Sequence, residues 1–427
     1  MKKKRFWVVF LGCFVFLSIL TACSGNNQSS GDAGNDKKMK GELTVWIHPF
    51  VGSELKDKQT EVFNNMVKTF HEKYPDVKVK FEEIPWANRE QRILTALAAN
   101  EGPDVFYIIP DMMAQFAEEG VLTPITDLLG DDWDKEDFTP SALESVTYKD
   151  EIYGLPILRE VQTYFYNTKL LKEIGGDPKH LPATWEEFNE LAKKAADKGY
   201  YARSFEGGNT PNATLYPLIW QAGGDVIDQN GKVVINQPEG VKALELIHDW
   251  YKNGYIPKDS VNSLDHFTLF VENKLLAAWG TSLTISTLKE RGFEDFVIGP
   301  PLKDQEMATF GTTGMFVVAS NSDNKEAAAQ FIKVMTSTEH QKAFNQLTKY
   351  IPARNSAVTI YDNDPLMKQL TEYAQYAKPG VVHPVARTII PKIQAEIQAM
   401  LEGKKTPQQA ADDMAKAVKE EIEKAGL

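Results

Sequence analysis

The sequence predicts an α/β fold divided into two lobes, and three observations carry that expectation. Short apolar strand segments alternate with amphipathic helices, the pattern of crossover units built around a parallel sheet. The patterned stretch runs to roughly 385 residues, more than one hydrophobic core usually holds. Two extended segments flanked by apolar strand sequence, Tyr153-Gly154-Leu155-Pro156 and Phe310-Gly311-Thr312-Thr313-Gly314, offer places for the chain to cross between lobes. The composition agrees: 427 residues at 42% apolar and 25% charged rule out disorder throughout. A formal net charge of −12 gives no bulk attraction to a polyphosphate, so nucleic acid is not an expected partner.

The first residues read as an address. Lys2, Lys3, Lys4 and Arg5 precede an apolar run from Phe6 to Leu20 that is too short to span a bilayer as a stable helix, which predicts a signal peptide over residues 1–22. The run ends in Leu20-Thr21-Ala22-Cys23, which resembles the bacterial lipobox and implies cleavage before Cys23 and acylation of its thiol, palmitate among the chains. Cys13 is the other cysteine, so neither a disulfide framework nor a cysteine zinc site is expected. Cleavage removes the four basic residues and no acid, taking the net charge from −12 to about −16. Residues 23–40 are rich in Gly, Asn, Ser, Asp and Lys, the composition of a flexible tether.

Order begins after residue 40. Leu43 to Ile47 reads as a buried strand and Glu54 to Tyr74 as a helix with Val62, Phe63, Met66, Val67 and Phe70 on one face. Val77 to Phe81 alternates as a strand, Arg89 to Ala99 is helical, and Asp104 to Ile109 is a short strand after the break Gly102-Pro103. Thr184 with Glu187 makes a capping box for a helix reaching about Lys198, and Pro238 opens a helix to Tyr251. Asn230-Gly231, between Val226-Ile227 and Val233-Val234-Ile235, predicts a hairpin. Further amphipathic helices are expected over 325–335, 338–347, 366–376, 389–401 and 407–424.

Enzyme signatures are missing. The sequence holds no Gly-rich phosphate loop, no pair of His at helical metal-binding spacing and no Gly-x-Ser-x-Gly elbow. Neither cofactor nor metal is expected. Aromatic residues do gather at strand ends and loop edges: Trp46, Trp86, Tyr107, Tyr164, Tyr216, Trp220 and Trp279. A sugar presents an apolar C–H face and a hydroxyl edge, so flat rings beside carboxylates and guanidinium groups are the chemistry its recognition needs.

Several blocks together resemble the extracellular solute-binding proteins of bacterial ABC importers, family 1. They are Gly102-Pro103-Asp104-Val105, Ala117 to Ile125, Tyr153 to Pro156 with Tyr166 to Leu171, Thr184 to Phe188, Trp220 to Asp225, Ile351-Pro352-Ala353-Arg354 and Leu401 to Pro407. The resemblance implies a two-lobe periplasmic-binding-protein-like (type II) fold with a hinged ligand cleft. It places lobe 1 at 41–157 and 312–360, and lobe 2 at 158–311 and 361–427. It also implies a lipid-anchored monomer on the outer face of the cell membrane that hands an oligosaccharide or related glycoside to an ABC permease without performing chemistry.

Counted without a gap from Gly102-Pro103-Asp104, Asp111 falls where maltose-binding members place a ligand-contacting aspartate; counted from Pro156, Glu160 falls where they place a glutamate. His48, Thr312 and Thr313 are expected along the cleft, with Trp220 and Trp279 as stacking platforms in lobe 2. Three stacking tryptophans of those members are replaced here by Ile108, Ser282 and Ile390, which argues against maltose itself. Arg159, Arg354 and Arg387 are candidate cleft cations, and a guanidinium favours a ligand carrying carboxylate or phosphate. Rival readings are a binding protein for a charged or noncarbohydrate solute, such as a glycerophosphodiester, polyamine or peptide, and a surface glycoside hydrolase using Asp111 with Glu160.

Overall fold

A computed structural model describes residues 39–262 and 264–427. The expected signal peptide and Cys23 lie outside the described residues. Nine strands build the two main sheets: β1 (Gly41–Ile47), β2 (Val77–Glu83), β3 (Val105–Ile108), β4 (Gly154–Arg159), β5 (Thr163–Asn167), β6 (Tyr201–Arg203), β7 (Leu275–Gly280), β8 (Phe296–Ile298) and β9 (Thr313–Val318).

The first sheet runs β2-β1-β3-β9-β4. β1 is parallel to β2 and β3, as the strand–helix alternation predicts. β9 is antiparallel to both β3 and β4, so the sheet is mixed rather than parallel. β9 arrives from the other lobe after some 150 intervening residues and enters the sheet from the opposite end. Every residue of β3, β4 and β9 is buried, which is why these strands read as continuous apolar runs instead of alternating ones. The second sheet runs β8-β5-β7-β6, with β6–β7 its one parallel pair.

Each sheet has its own core. Leu43, Val45, Phe63, Phe106, Phe316 and Phe331 belong to one cluster; Phe188, Trp220, Trp250, Ile393 and Met414 belong to the other, helix-rich one. A smaller third cluster joins Phe165 and Phe270 to Ile351, Tyr361 and Leu370. The expected helices form with ends shifted by a few residues at most, among them Lys56–Lys73, Arg89–Ala98, Trp185–Asp197, Pro238–Lys252 and Pro407–Lys424. The Thr184–Glu187 capping box closes in both directions, at 3.2 and 3.1 Å. Asn230-Gly231 does turn, but a single bridge between Ile227 and Val233 replaces the expected hairpin strands. The Asp228 carboxylate holds the turn by accepting from the Asn230 and Lys232 amides at 2.9 Å each.

Three chain segments pass side by side between the two sheets. Glu160 donates its amide to the Thr312 carbonyl at 2.8 Å, and Gln162 to Phe310 at 2.9 Å. Gly311 donates to the Lys378 carbonyl at 3.1 Å, which brings in the third segment. The packing admits only glycine at 311, where a Cβ would lie 2.3 Å from the Glu160 carbonyl oxygen.

Candidate functional site

The site lies between the lobes and is built from both. Asp111 sits in the first turn of the helix Pro110–Glu118, opened by a proline whose missing N–H costs nothing there. It is 5% exposed. Its Oδ2 accepts from Arg387 Nη1 at 3.0 Å, and Arg387 Nε also donates to Glu90 Oε2 at 3.2 Å. Arg387 begins the helix Ala386–Leu401, whose apolar face packs into the second core, while Asp111 and Glu90 stand on first-lobe helices. The triad therefore bridges the cleft. Asp111 Oδ1 is buried with no partner. Burial pushes the Asp111 carboxyl above its usual range against the pull of Arg387. Burial also opposes the charge on Arg387, but Asp111 and Glu90 outweigh it and hold the guanidinium above its ordinary value.

Glu160 follows β4 directly and is set deep between the lobes. Burial raises its carboxyl, and a hydrogen bond with Thr281 of the second lobe offsets part of that. Tyr107 and Tyr350 lie within its electrostatic reach, as does Arg89 for both tyrosines. The Tyr216 hydroxyl, which feels the Asp111 charge, is buried and unpartnered.

His48 does not face a ligand openly: it is 1% exposed and serves as the underside of a stack. Its Nδ1 donates to the Ile84 carbonyl at 2.9 Å, since a carbonyl can only accept. Burial pulls its pKa down to about 4, so the ring is neutral near pH 7. Trp86 lies on it with centroids 4.1 Å apart and planes 17° from parallel. The indole is pinned by Nε1 donating to the Pro49 carbonyl at 3.0 Å, covered on one side by the Arg89 guanidinium at 5.2 Å, and still 38% exposed. With His48 beneath the ring and Arg89 over it, the indole presents its exposed edge in a fixed position. Sequence reasoning noted Trp86 among the aromatics but passed over it and Arg89 as site residues; the turn at Asn88, with φ +55°, is the local signal that sets both.

The structure separates several residues the sequence groups together. Trp220 is 1% exposed in the second core, with Nε1 donating to Asp225 Oδ1 at 3.3 Å, and offers no face to a ligand. Arg354 is 2% exposed inside the first lobe, caged by the carbonyls of Trp133, Asp134 and Thr336 and laid on the Phe138 ring at 3.9 Å, so it holds a loop rather than lining the cleft. Arg387 is in the cleft, but its charge is engaged by two carboxylates. Arg159 donates Nε to the Pro352 carbonyl at 3.1 Å and, one residue before Glu160 on extended backbone, points away from it. Thr313 is buried with its hydroxyl donating to Ser145 Oγ at 3.2 Å, while Thr312, half-buried, supplies the carbonyl that receives Glu160. Trp279 is half-buried; His266 covers one side of it at 4.8 Å and its Nε1 has no partner. Among the described residues, no group of three His, Cys, Asp or Glu could hold a metal, and no helix is long and apolar enough to cross a membrane.

Known proteins with this architecture bind solutes. The model of the bacterial extracellular solute-binding protein family matches residues 65–377. A galactooligosaccharide-binding protein of Bacillus subtilis is 27% identical, with 99% of this chain and 98% of that one covered. A maltotriose-binding protein of Pyrococcus abyssi is also 27% identical, over 79% of this chain and 72% of its own. Among solved structures, the sugar-binding protein MalE of Xanthomonas citri superposes with a TM-score of 0.79 at 19% identity, covering 90% of this chain and 98% of that one. These relatives are binding proteins and not enzymes. With its two α/β lobes, its hinged cleft and a family match over most of its length, the chain belongs to the bacterial extracellular solute-binding proteins.

Proposed function

We propose that this protein is the lipid-anchored receptor of an ABC importer, capturing a neutral oligosaccharide in the interlobe cleft and delivering it to the permease. The carrying observation is the pair of carboxylates at the lobe junction: Asp111, buried with Oδ1 unpartnered, and the half-buried Glu160, whose carboxyl burial raises against a hydrogen bond with Thr281. A carboxylate offers about four acceptor sites, and a polyol with adjacent hydroxyls fills them without adding charge. Trp86, Trp279 and the Tyr216 hydroxyl complete the complement of flat faces and polar edges. A neutral sugar suits the charges: Arg387 is engaged by two carboxylates, Arg354 is inside the lobe and Arg159 is tied to a backbone carbonyl, which leaves Arg89, over the Trp86 ring, against the two carboxylates.

The relatives that bind galactooligosaccharide and maltotriose support the ligand class. The lobes divide at 41–157 with 312–360 and at 158–311 with 361–427, Cys23 carries the lipid, the receptor acts as a monomer outside the cell membrane, and closure presents both lobes to the permease together.

The test is thermal unfolding of the chain from Cys23 onward against neutral, acidic and cationic solutes, with each mixture checked for hydrolysis. At a hundredfold excess over Kd a true ligand contributes about 2.7 kcal/mol, a rise on the order of 2 °C. A rise confined to intact neutral oligosaccharides supports the reading. A rise only with a polyamine would transfer the two carboxylates to a cationic ligand, and cleavage of the sugar would make the protein a hydrolase.

A further inference from the structure

Each lobe carries a partly exposed tryptophan with a histidine ring against it. In the first lobe it is Trp86 on His48, with the indole tied by its own bond to the Pro49 carbonyl. In the second it is Trp279 on His266, with centroids 4.8 Å apart and planes 34° from parallel. Trp279 is the last residue but one of β7 and stands two residues before Thr281 on extended backbone. It therefore shares a face of the chain with the side chain that bonds Glu160 between the lobes.

The two tryptophans are fixed by different means. Trp279 Nε1 has no partner, so no hydrogen bond ties the indole, and only the backbone amide is held, by Ser204 Oγ at 2.9 Å. The ring that lies against it belongs to His266, which is itself 6% exposed and firmly held. His266 Nδ1 donates to Glu206 Oε1 at 2.8 Å, since a carboxylate can only accept. Glu206 is also 6% exposed, and its Oε2 accepts from the Asn209 side-chain amide at 3.2 Å. A buried pair of this kind returns little net stability once its desolvation is counted. What it returns is direction, because a bond to one ring nitrogen sets the plane of the imidazole. We propose that Glu206 and His266 are positioning residues that brace the Trp279 indole, so that its exposed part meets a sugar ring in the cleft at a fixed angle. This role rests on the sugar-receptor reading given above. The carboxylate acts through the imidazole and the imidazole through the indole, and neither need touch the sugar.

The experiment uses the chain from Cys23 onward, labelled with fluorotryptophan, with the Trp279 fluorine resonance identified by its loss in Trp279→Leu. Maltotriose and galactotriose are the probes, and calorimetry reads their affinity. In the unaltered chain the resonance should be one narrow line that moves when a probe binds. Trp279→Leu should weaken binding about tenfold, and His266→Ala and Glu206→Ala about fivefold each. The last two should also broaden or split the Trp279 line before any sugar is added. Glu206→Gln keeps an acceptor for His266 and should keep both the narrow line and most of the affinity. An unaltered Trp279 line in His266→Ala and Glu206→Ala, or undiminished affinity in those variants and in Trp279→Leu, would overturn the brace and leave the receptor standing. If the unaltered chain binds neither probe, the receptor reading fails for these sugars, and the line shapes alone decide whether the brace holds the indole. Glu206→Gln compared with Glu206→Ala keeps the test decisive where His266→Ala does not fold.

Discussion

Arg159 and Glu160 are neighbours in the chain at the lobe crossing, yet their charges find different partners. Glu160 is bonded to Thr281 of the second lobe, while Asp111 accepts from Arg387, whose charge is shared between Asp111 and Glu90. Arg159 donates from Nε to the Pro352 carbonyl, and the small cavity at the crossing is lined by Ser141, Ser145, Thr312 and Thr313 together with Arg159 and Glu160. Both groups are charges taken out of water with part of their bonding unfilled, and both carry pKa values displaced toward the neutral form by that burial. The difference is in what completes their bonding. Asp111 and Glu160, with aromatic rings nearby, suit a ligand of many hydroxyls, whereas Arg159 is tied by its Nε to a backbone carbonyl of the chain itself.

The largest expected effect concerns the cleft wall. His48 has a folded pKa near 4 against 6.5 for the free side chain, so its neutral form stabilises the fold fully above pH 6.5, and that stability is lost as pH falls toward 4. The loss should approach 3 kcal/mol, roughly the free energy of that displacement. Denaturant unfolding at pH 7 and pH 4 measures it, and His48→Gln, which keeps a donor for Ile84, should flatten the dependence. An unchanged slope in the variant would move the titration elsewhere.

Glu160→Gln would break the contrast between the two neighbours more directly. It should weaken sugar binding by about 2 kcal/mol, some thirtyfold, while leaving the ligand-free protein as stable or more stable, since a buried charge is gone. Titration calorimetry and thermal unfolding read the two halves; falling stability with unchanged affinity would make Glu160 structural. The same carboxyl sets a pH dependence. Sugar hydroxyls favour the ionised form, so binding near the raised Glu160 pKa should release a proton, and affinity should fall on acidification. Calorimetry in buffers of different ionisation enthalpy detects the proton.

Trp86→Ala should cost about 1.5 kcal/mol of affinity if the exposed indole stacks on the ligand, and quenching of tryptophan fluorescence by sugar should shrink with it. The smallest effect is expected from Arg387→Gln. Removing a half-exposed partner of two acids should weaken closure by roughly 1 kcal/mol, visible as a larger ligand-free radius of gyration in solution scattering.

Much of this was legible beforehand, and the parts that were not share a cause. Regular elements announced themselves through periodicity, and the Thr184–Glu187 box and Pro238 marked helix starts because capping is a local matter of adjacent N–H groups. The positions of Asp111 and Glu160 at the lobe junction could be anticipated by counting because Asp111 opens a helix just after β3 and Glu160 directly follows β4. Trp220 misled because a tryptophan on a helix buried on every side has the same sequence neighbourhood as one at a rim. Arg354 misled because its cage is made of carbonyls from distant segments, and a carbonyl carries no side-chain signature. The antiparallel course of β9 depends on which lobe the chain returns from, which no local pattern encodes.

That course has a consequence for how the protein is made. β9 is the strand between β3 and β4, and it is contributed by residues 313–318, some 150 residues after β4. Until those residues emerge from the ribosome, the first lobe lacks the middle of its sheet, and β3 and β4 have no partner to hold them together. Such non-local pairing is intrinsically slow, because the loop must close before its contacts reward it. For the exported receptor proposed above, this order of events would keep the N-terminal half from finishing its fold until the later residues have crossed the membrane.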